Sequence, residues 1–106
     1  MAGIAVACYR PKPGRDADLL DTVRQHVPTL RAHGFVTDRP QVVMRSSDGT
    51  IVEILEWASP EAKQRAHEHE AVRALWERLD QCAEFPSLSE LPESTERFAN
   101  FEPVDL

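Results

Sequence analysis

The chain has 106 residues, a formal net charge of −6, 42% hydrophobic and 28% charged residues, which suits one domain around one modest core. Without a Lys/Arg cluster, that acidity disfavours nucleic acid and anionic membranes as partners, because both are held chiefly through basic side chains. No apolar run reaches the length of a membrane span, so the expectation is a cytoplasmic protein with residues 1–106 as a single domain.

Gly3 to Tyr9 is apolar on both alternations, Ile4/Val6/Cys8 against Ala5/Ala7/Tyr9, which predicts a strand covered on both faces. Small Ala5 and Ala7 leave space beneath one of those covers. Arg10 to Gly14, with two prolines and a glycine, reads as a loop. From Asp16 to His33, the residues Leu19, Leu20, Val23, Val27 and Leu30 recur at three- and four-residue spacing, the mark of a helix with one core-facing stripe. Pro28 predicts a kink near Arg24 to His26, and Gly34 ends the helix. His26 and His33 read as flanking residues on it.

Asp48-Gly49 between two apolar runs predicts a two-residue type I′ hairpin, with strands at Gln41 to Ser46 and Thr50 to Ala58. In that register Met44 pairs with Glu53, and Arg45 lies on the opposite strand face. Ser59-Pro60-Glu61 then supplies an N-cap, a proline at the first helical position and an acid near the positive helix end. The second helix runs from Pro60 to about Cys82, with Ala62, Ala66, Val72, Trp76, Leu79 and Ala83 on one side and a break expected near His69.

Phe85 to Leu91 alternates weakly and reads as the last strand, with Pro86 marking an edge or a strand start. Residues 92–106 form a docked C-terminal tail, with a helical turn at Ser94 to Phe98 and with Phe98, Phe101 and Val104 as its anchors. Cys8 and Cys82 are far apart in the sequence and are expected as buried thiols.

The order strand, helix, strand, strand, helix, strand predicts an α+β, ferredoxin-like βαββαβ domain: a four-stranded antiparallel sheet with both helices on one face. Its other face is apolar and needs a cover, so a homodimer through that face is expected.

Four pieces carry a family resemblance: Asp48-Gly49, the strand end Glu56-Trp57, the helix start Ser59-Pro60-Glu61-Ala62, and Ala66-His67, with His67 ten positions after Trp57. In that joint spacing, over residues 3–91, the chain resembles the dimeric α+β barrel superfamily, and within it the antibiotic-biosynthesis-monooxygenase-like (ABM-like) proteins. The resemblance implies a dimeric α+β barrel and favours His67 as the histidine near a pocket mouth. Its members include cofactor-free oxygenases of polycyclic aromatics, haem-degrading enzymes and proteins without known activity, so it does not choose a reaction. Counted from Trp57, the tryptophan and histidine positions of the haem-degrading branch fall on Ala66 and Trp76. No cofactor is therefore expected.

The candidate catalytic residues are His67, His69 and Glu53. In a continuous helix the two histidines point about 200° apart and do not share a metal, so no metal site is expected. That projection places His69 on the apolar stripe and His67 toward solvent. The resemblance favours the reverse, and the plain alternative is one exposed and one packed histidine. Glu53 stands among Met44, Leu55 and Trp57, where a carboxylate must be paired, protonated or open to a cavity.

Tyr9, Trp57 and Trp76 are the candidate ligand-binding residues, around an apolar pocket for a small aromatic or polyketide-like molecule, although both tryptophans also suit a plain core. Two functions compete. One is a small-molecule enzyme such as a cofactor-independent monooxygenase, with Glu53 or a histidine as base; the other is a non-enzymatic ligand-binding or interaction module.

Overall fold

Alternating small and branched residues carry Ile4–Pro11 into β1, part of an antiparallel five-stranded open sheet in the computed structural model, which describes residues 3–106. The other elements are α1 (Asp16–Ala32), β2 (Val42–Arg45), β3 (Ile51–Glu56), α2 (Pro60–Ala66), α3 (Glu70–Cys82), β4 (Ala83–Glu84) and β5 (Glu102–Pro103). The strands lie in the order β4-β1-β3-β2-β5. The fold is thus α+β, with the β-α-β-β-α-β order that the sequence predicts and one strand more.

Helices α1 and α3 pack on one another and on one sheet face. Leu19, Val23, Val27 and Leu30 of α1 are buried against Val72 and Leu79 of α3 and against Tyr9, Val43, Ile51 and Leu55 of the sheet. Each such aliphatic side chain contributes about 1.5–3 kcal/mol relative to exposure. Helix α1 runs through Pro28, which lies on its exposed side, as far as Ala32. It ends where Gly34 adopts a φ of 72°. There Gly34 N–H donates to the Arg31 carbonyl and Phe35 N–H to the Leu30 carbonyl, each at 3.0 Å, a Schellman closure that needs a residue tolerant of positive φ.

The hairpin differs from the two-residue turn predicted. Gly49 alone takes a positive φ, 92°, while Ser46 and Thr50 close the loop with a 2.8 Å backbone bond. Three residues therefore form the loop, and the left-handed position falls on glycine, as in a type I turn with a bulge. The extra residue shifts the register by one: Val43 pairs with Glu53, and Met44 pairs with Val52. Arg45 consequently shares the strand face of Glu53, but its guanidinium pairs with Glu102 at 3.2 Å.

The last strand is also corrected. Pairing with β1 begins where α3 ends, at Ala83 and Glu84. Residues Phe85 to Leu91 form no strand; instead 3₁₀ turns occupy Leu88–Glu90 and Pro92–Thr95, the second lying earlier than the turn expected at Ser94 to Phe98.

The C-terminal segment wraps one edge of the sheet. Leu91 is buried against Cys8 and Val52 on the face away from the helices, with Phe101 and Met44 beside it. The chain then pairs with β2 as β5, and Val104 reaches the helix-side core. Phe98, expected as an anchor, is 83% exposed. The Glu93 carboxylate fastens this segment to the hairpin, accepting from Ser46 Oγ at 2.6 Å and Ser47 N–H at 2.9 Å.

Cys8 and Cys82 are both buried free thiols. On the same outer face Ile4, Val6 and Val42 are 55%, 41% and 47% exposed. Among the described residues, no helix is long and apolar enough to cross a membrane.

Candidate functional site

Antiparallel pairing places Ala7 and Val43 on either side of Glu53. These short neighbours leave the carboxylate room, and Glu53 has no exposed surface at all. A carboxylate in that position needs donors for both oxygens. Tyr9, two residues along β1 from Ala7, gives its hydroxyl proton to Glu53 Oε1 at 2.8 Å. His26 Nδ1 meets the same oxygen at 2.8 Å from α1, and Gln41 Nε2, just before β2, donates to Oε2 at 2.6 Å.

The network continues outward. The Trp76 indole N–H of α3 donates to His26 Nε2 at 2.9 Å. An indole N–H can only donate, so Nε2 accepts and the imidazole proton sits on Nδ1, facing Glu53. The His26–Glu53 contact is therefore a hydrogen bond from neutral imidazole to carboxylate rather than an ion pair. Burial, and then the adjacent Glu53 charge, push the Tyr9 hydroxyl well above its ordinary pKa. Tyr9 thus keeps its proton directed at Glu53 throughout the neutral range.

Beside this network lies a cavity of about 350 Å³ between the sheet and the helices, near the lower end of the usual range for small-molecule sites of about 300–1,000 Å³. Ala5, Ala7, Leu55, Trp57, Leu79 and Phe85 supply its apolar wall, while Tyr9, His26, Trp76, Lys63 and His67 supply its polar groups. Glu53 is not on that wall. It stands behind Tyr9 and His26 and reaches the cavity only through them. A second cavity of about 270 Å³, reached from Gly3 and Pro60, shares Ala5, Trp57 and Lys63 with the first.

The helical stretch after Trp57 breaks between its two histidines, and the break sets their directions. Ser59 caps α2 by accepting from Ala62 N–H at 2.9 Å. Helix α2 then tightens at its end, with Glu68 N–H bonded to the Arg65 carbonyl and His69 N–H to the Ala66 carbonyl. His67, freed from a continuous helix, stands at the cavity mouth, its ring edge-on to Trp76 with centroids 4.8 Å apart. Its Nδ1–H donates to the Lys63 carbonyl at 2.8 Å, which leaves the Nε2 lone pair open. His69 instead caps α3, accepting from Ala71 N–H at 3.2 Å, and its ring lies 4.0 Å from that of His33.

The cavity thus brings together Tyr9, Trp57, Trp76 and His67, with Glu53 directly behind, whereas His69 faces elsewhere. His26 and Gln41 are the members that the sequence reading missed. His26 lies seven positions after Leu19 and three after Val23, on the buried stripe itself rather than beside it. A histidine there requires polar partners, and Glu53 was the one carboxylate already placed among apolar neighbours. No protein-family model, no curated protein and no solved structure matches the chain, so its chemistry is read from its own side chains.

Proposed function

We propose that this is a ferredoxin-like, ABM-like protein of the dimeric α+β barrel kind that binds a small planar aromatic molecule and acts on it as a cofactor-independent monooxygenase. One observation carries the reading: an apolar cavity bordered by Trp57 and Trp76 has an unoccupied imidazole lone pair, His67 Nε2, at its mouth. The aromatic walls hold the ring system. His67 removes a proton from an acidic carbon of the ligand, and the resulting carbanion donates electrons to dioxygen. Tyr9, His26 and Trp76, fixed by Glu53, give the cavity a rigid polar side that orients the ligand.

The assembly belongs to the same reading. Ile4, Val6 and Val42 lie exposed on the outer sheet face, where the C-terminal segment does not reach, and a second copy of the chain is proposed as their cover.

One feature favours the second reading, a ligand-binding module without turnover. Both Glu53 oxygens and both His26 nitrogens are already engaged, so this network holds its shape without offering a free base. Anthrone separates the two: it is planar, has an acidic methylene, and with one dioxygen yields anthraquinone and one water. The enzyme reading expects protein-dependent dioxygen uptake that His67→Gln lowers about 10²-fold or more. Binding of anthrone without turnover would leave the module, and absence of binding would remove both readings.

A further inference from the structure

Resting on that reading of the cavity, we infer that its ligand is an aromatic carrying a hydroxyl group at one end and a carboxylate at the other, with Lys63 as the anion-recognising residue. Two independent features of the wall give the ligand this direction.

At the inner end, Tyr9 has committed its proton to Glu53. The phenolic oxygen therefore presents only lone pairs to the cavity and selects a donor, such as a ligand hydroxyl. The buried Glu53 carboxylate directly behind it repels a second anion at this end, since a charge in a poorly solvated site interacts strongly with its neighbours.

At the mouth the electrostatics reverse. Lys63 is the one lysine or carboxylate side chain on the wall, and it borders both adjoining cavities. No carboxylate among the described residues pairs with it, although the chain as a whole carries a net charge of −6. Its own carbonyl holds His67 by Nδ1, so Lys63 on α2 and His67 at the C-terminal end of that helix border the same cavity one turn apart. A carboxylate there gains a charge-assisted contact beside an apolar wall. The volume of about 350 Å³ suits a compact ring system with two short polar ends rather than an extended polyketide.

The test compares 6-hydroxy-2-naphthoate with 2-naphthol, the same hydroxylated rings without the charge, by calorimetric titration of the full chain and of Lys63→Met. Lys63 is exposed, so the substitution leaves the fold intact, which circular dichroism checks. The wild type should bind the hydroxynaphthoate about five- to tenfold more tightly than naphthol. Lys63→Met should remove that preference. 2-Naphthoate, lacking the hydroxyl, should bind the wild type more weakly than the hydroxynaphthoate. Equal affinity for charged and neutral rings, or a preference that survives in Lys63→Met, would overturn the inference and leave the aromatic cavity standing. No binding of any naphthalene by the wild type would overturn the proposed function with it.

Discussion

Glu53 and His26 meet at 2.8 Å between the middle of the sheet and the buried stripe of α1. Neither residue has a place in an apolar core alone; together with Tyr9, Gln41 and Trp76 each is satisfied. The cavity borders this network, so the fixed orientation of Tyr9 and His26 depends on a carboxylate that the cavity does not touch.

Glu53→Gln tests that dependence. Glutamine keeps the length but removes the charge and turns one acceptor into a donor, which conflicts with the three donors around it. A loss of about 1–3 kcal/mol in unfolding free energy is expected, read from the denaturant midpoint at unchanged m-value. An unchanged midpoint would mean that the network contributes nothing to the fold.

Trp76→Phe keeps the ring beside His67 but deletes the N–H that fixes His26. About 1 kcal/mol should be lost. Long-range proton–nitrogen correlation spectra should show His26 protonated at Nδ1 in the wild type and a mixture of tautomers in the variant. A wild-type signal from protonated Nε2 would contradict the donor assignment.

Acid should loosen the C-terminal segment before it unfolds the core. The Ser46 hydroxyl, and then the Ser47 N–H, hold the Glu93 carboxyl below its ordinary pKa of 4.5. A depressed carboxylate pKa contributes stability that is present above the ordinary value and lost as pH falls through the folded one. Protection of residues 91–104, taken as hydrogen exchange relative to the intrinsic rate at each pH, should therefore be high at pH 6 and fall as the pH drops below the ordinary carboxylate range. In Glu93→Gln exchange should be faster at pH 6 and lose most of this dependence. A wild-type segment equally protected across that range would remove Glu93 as its fastening.

The outer sheet face makes the assembly testable. Val6→Asp and Val42→Asp place charges on β1 and β2, either side of β3 on the outer face, without entering the helix-side core. Sedimentation velocity should give twice the chain mass for the wild type at micromolar concentration and the monomer mass for the double variant. A wild-type monomer would count against the proposed dimer.

The strand and helix order was legible because its local signals agreed: small and branched alternation in Ile4–Pro11, the stripe of α1, Asp48-Gly49, and Ser59-Pro60. The register was not, because it depended on whether Asp48 or only Gly49 took a positive φ. That one residue moved Val43 into the place assigned to Met44. Glu53 stood out by its neighbours alone, whereas its partners lie 12, 27 and 44 positions away and only packing brings them together. The direction of His67 depended on where the helical stretch broke, which periodicity does not fix. Residues 83–84 pair with β1 directly at the end of α3, leaving no linker for sequence to mark.

A proton–nitrogen correlation titration with 2-naphthol shows whether the space beside Trp57 and Trp76 is a binding site for planar aromatics. The indole signals of Trp57 and Trp76 and the amide signals of Ala5 and Ala7 should shift together along one saturable curve. Absence of any shift at millimolar ligand, or shifts confined to Val6 and Val42 on the outer face, would contradict such a site.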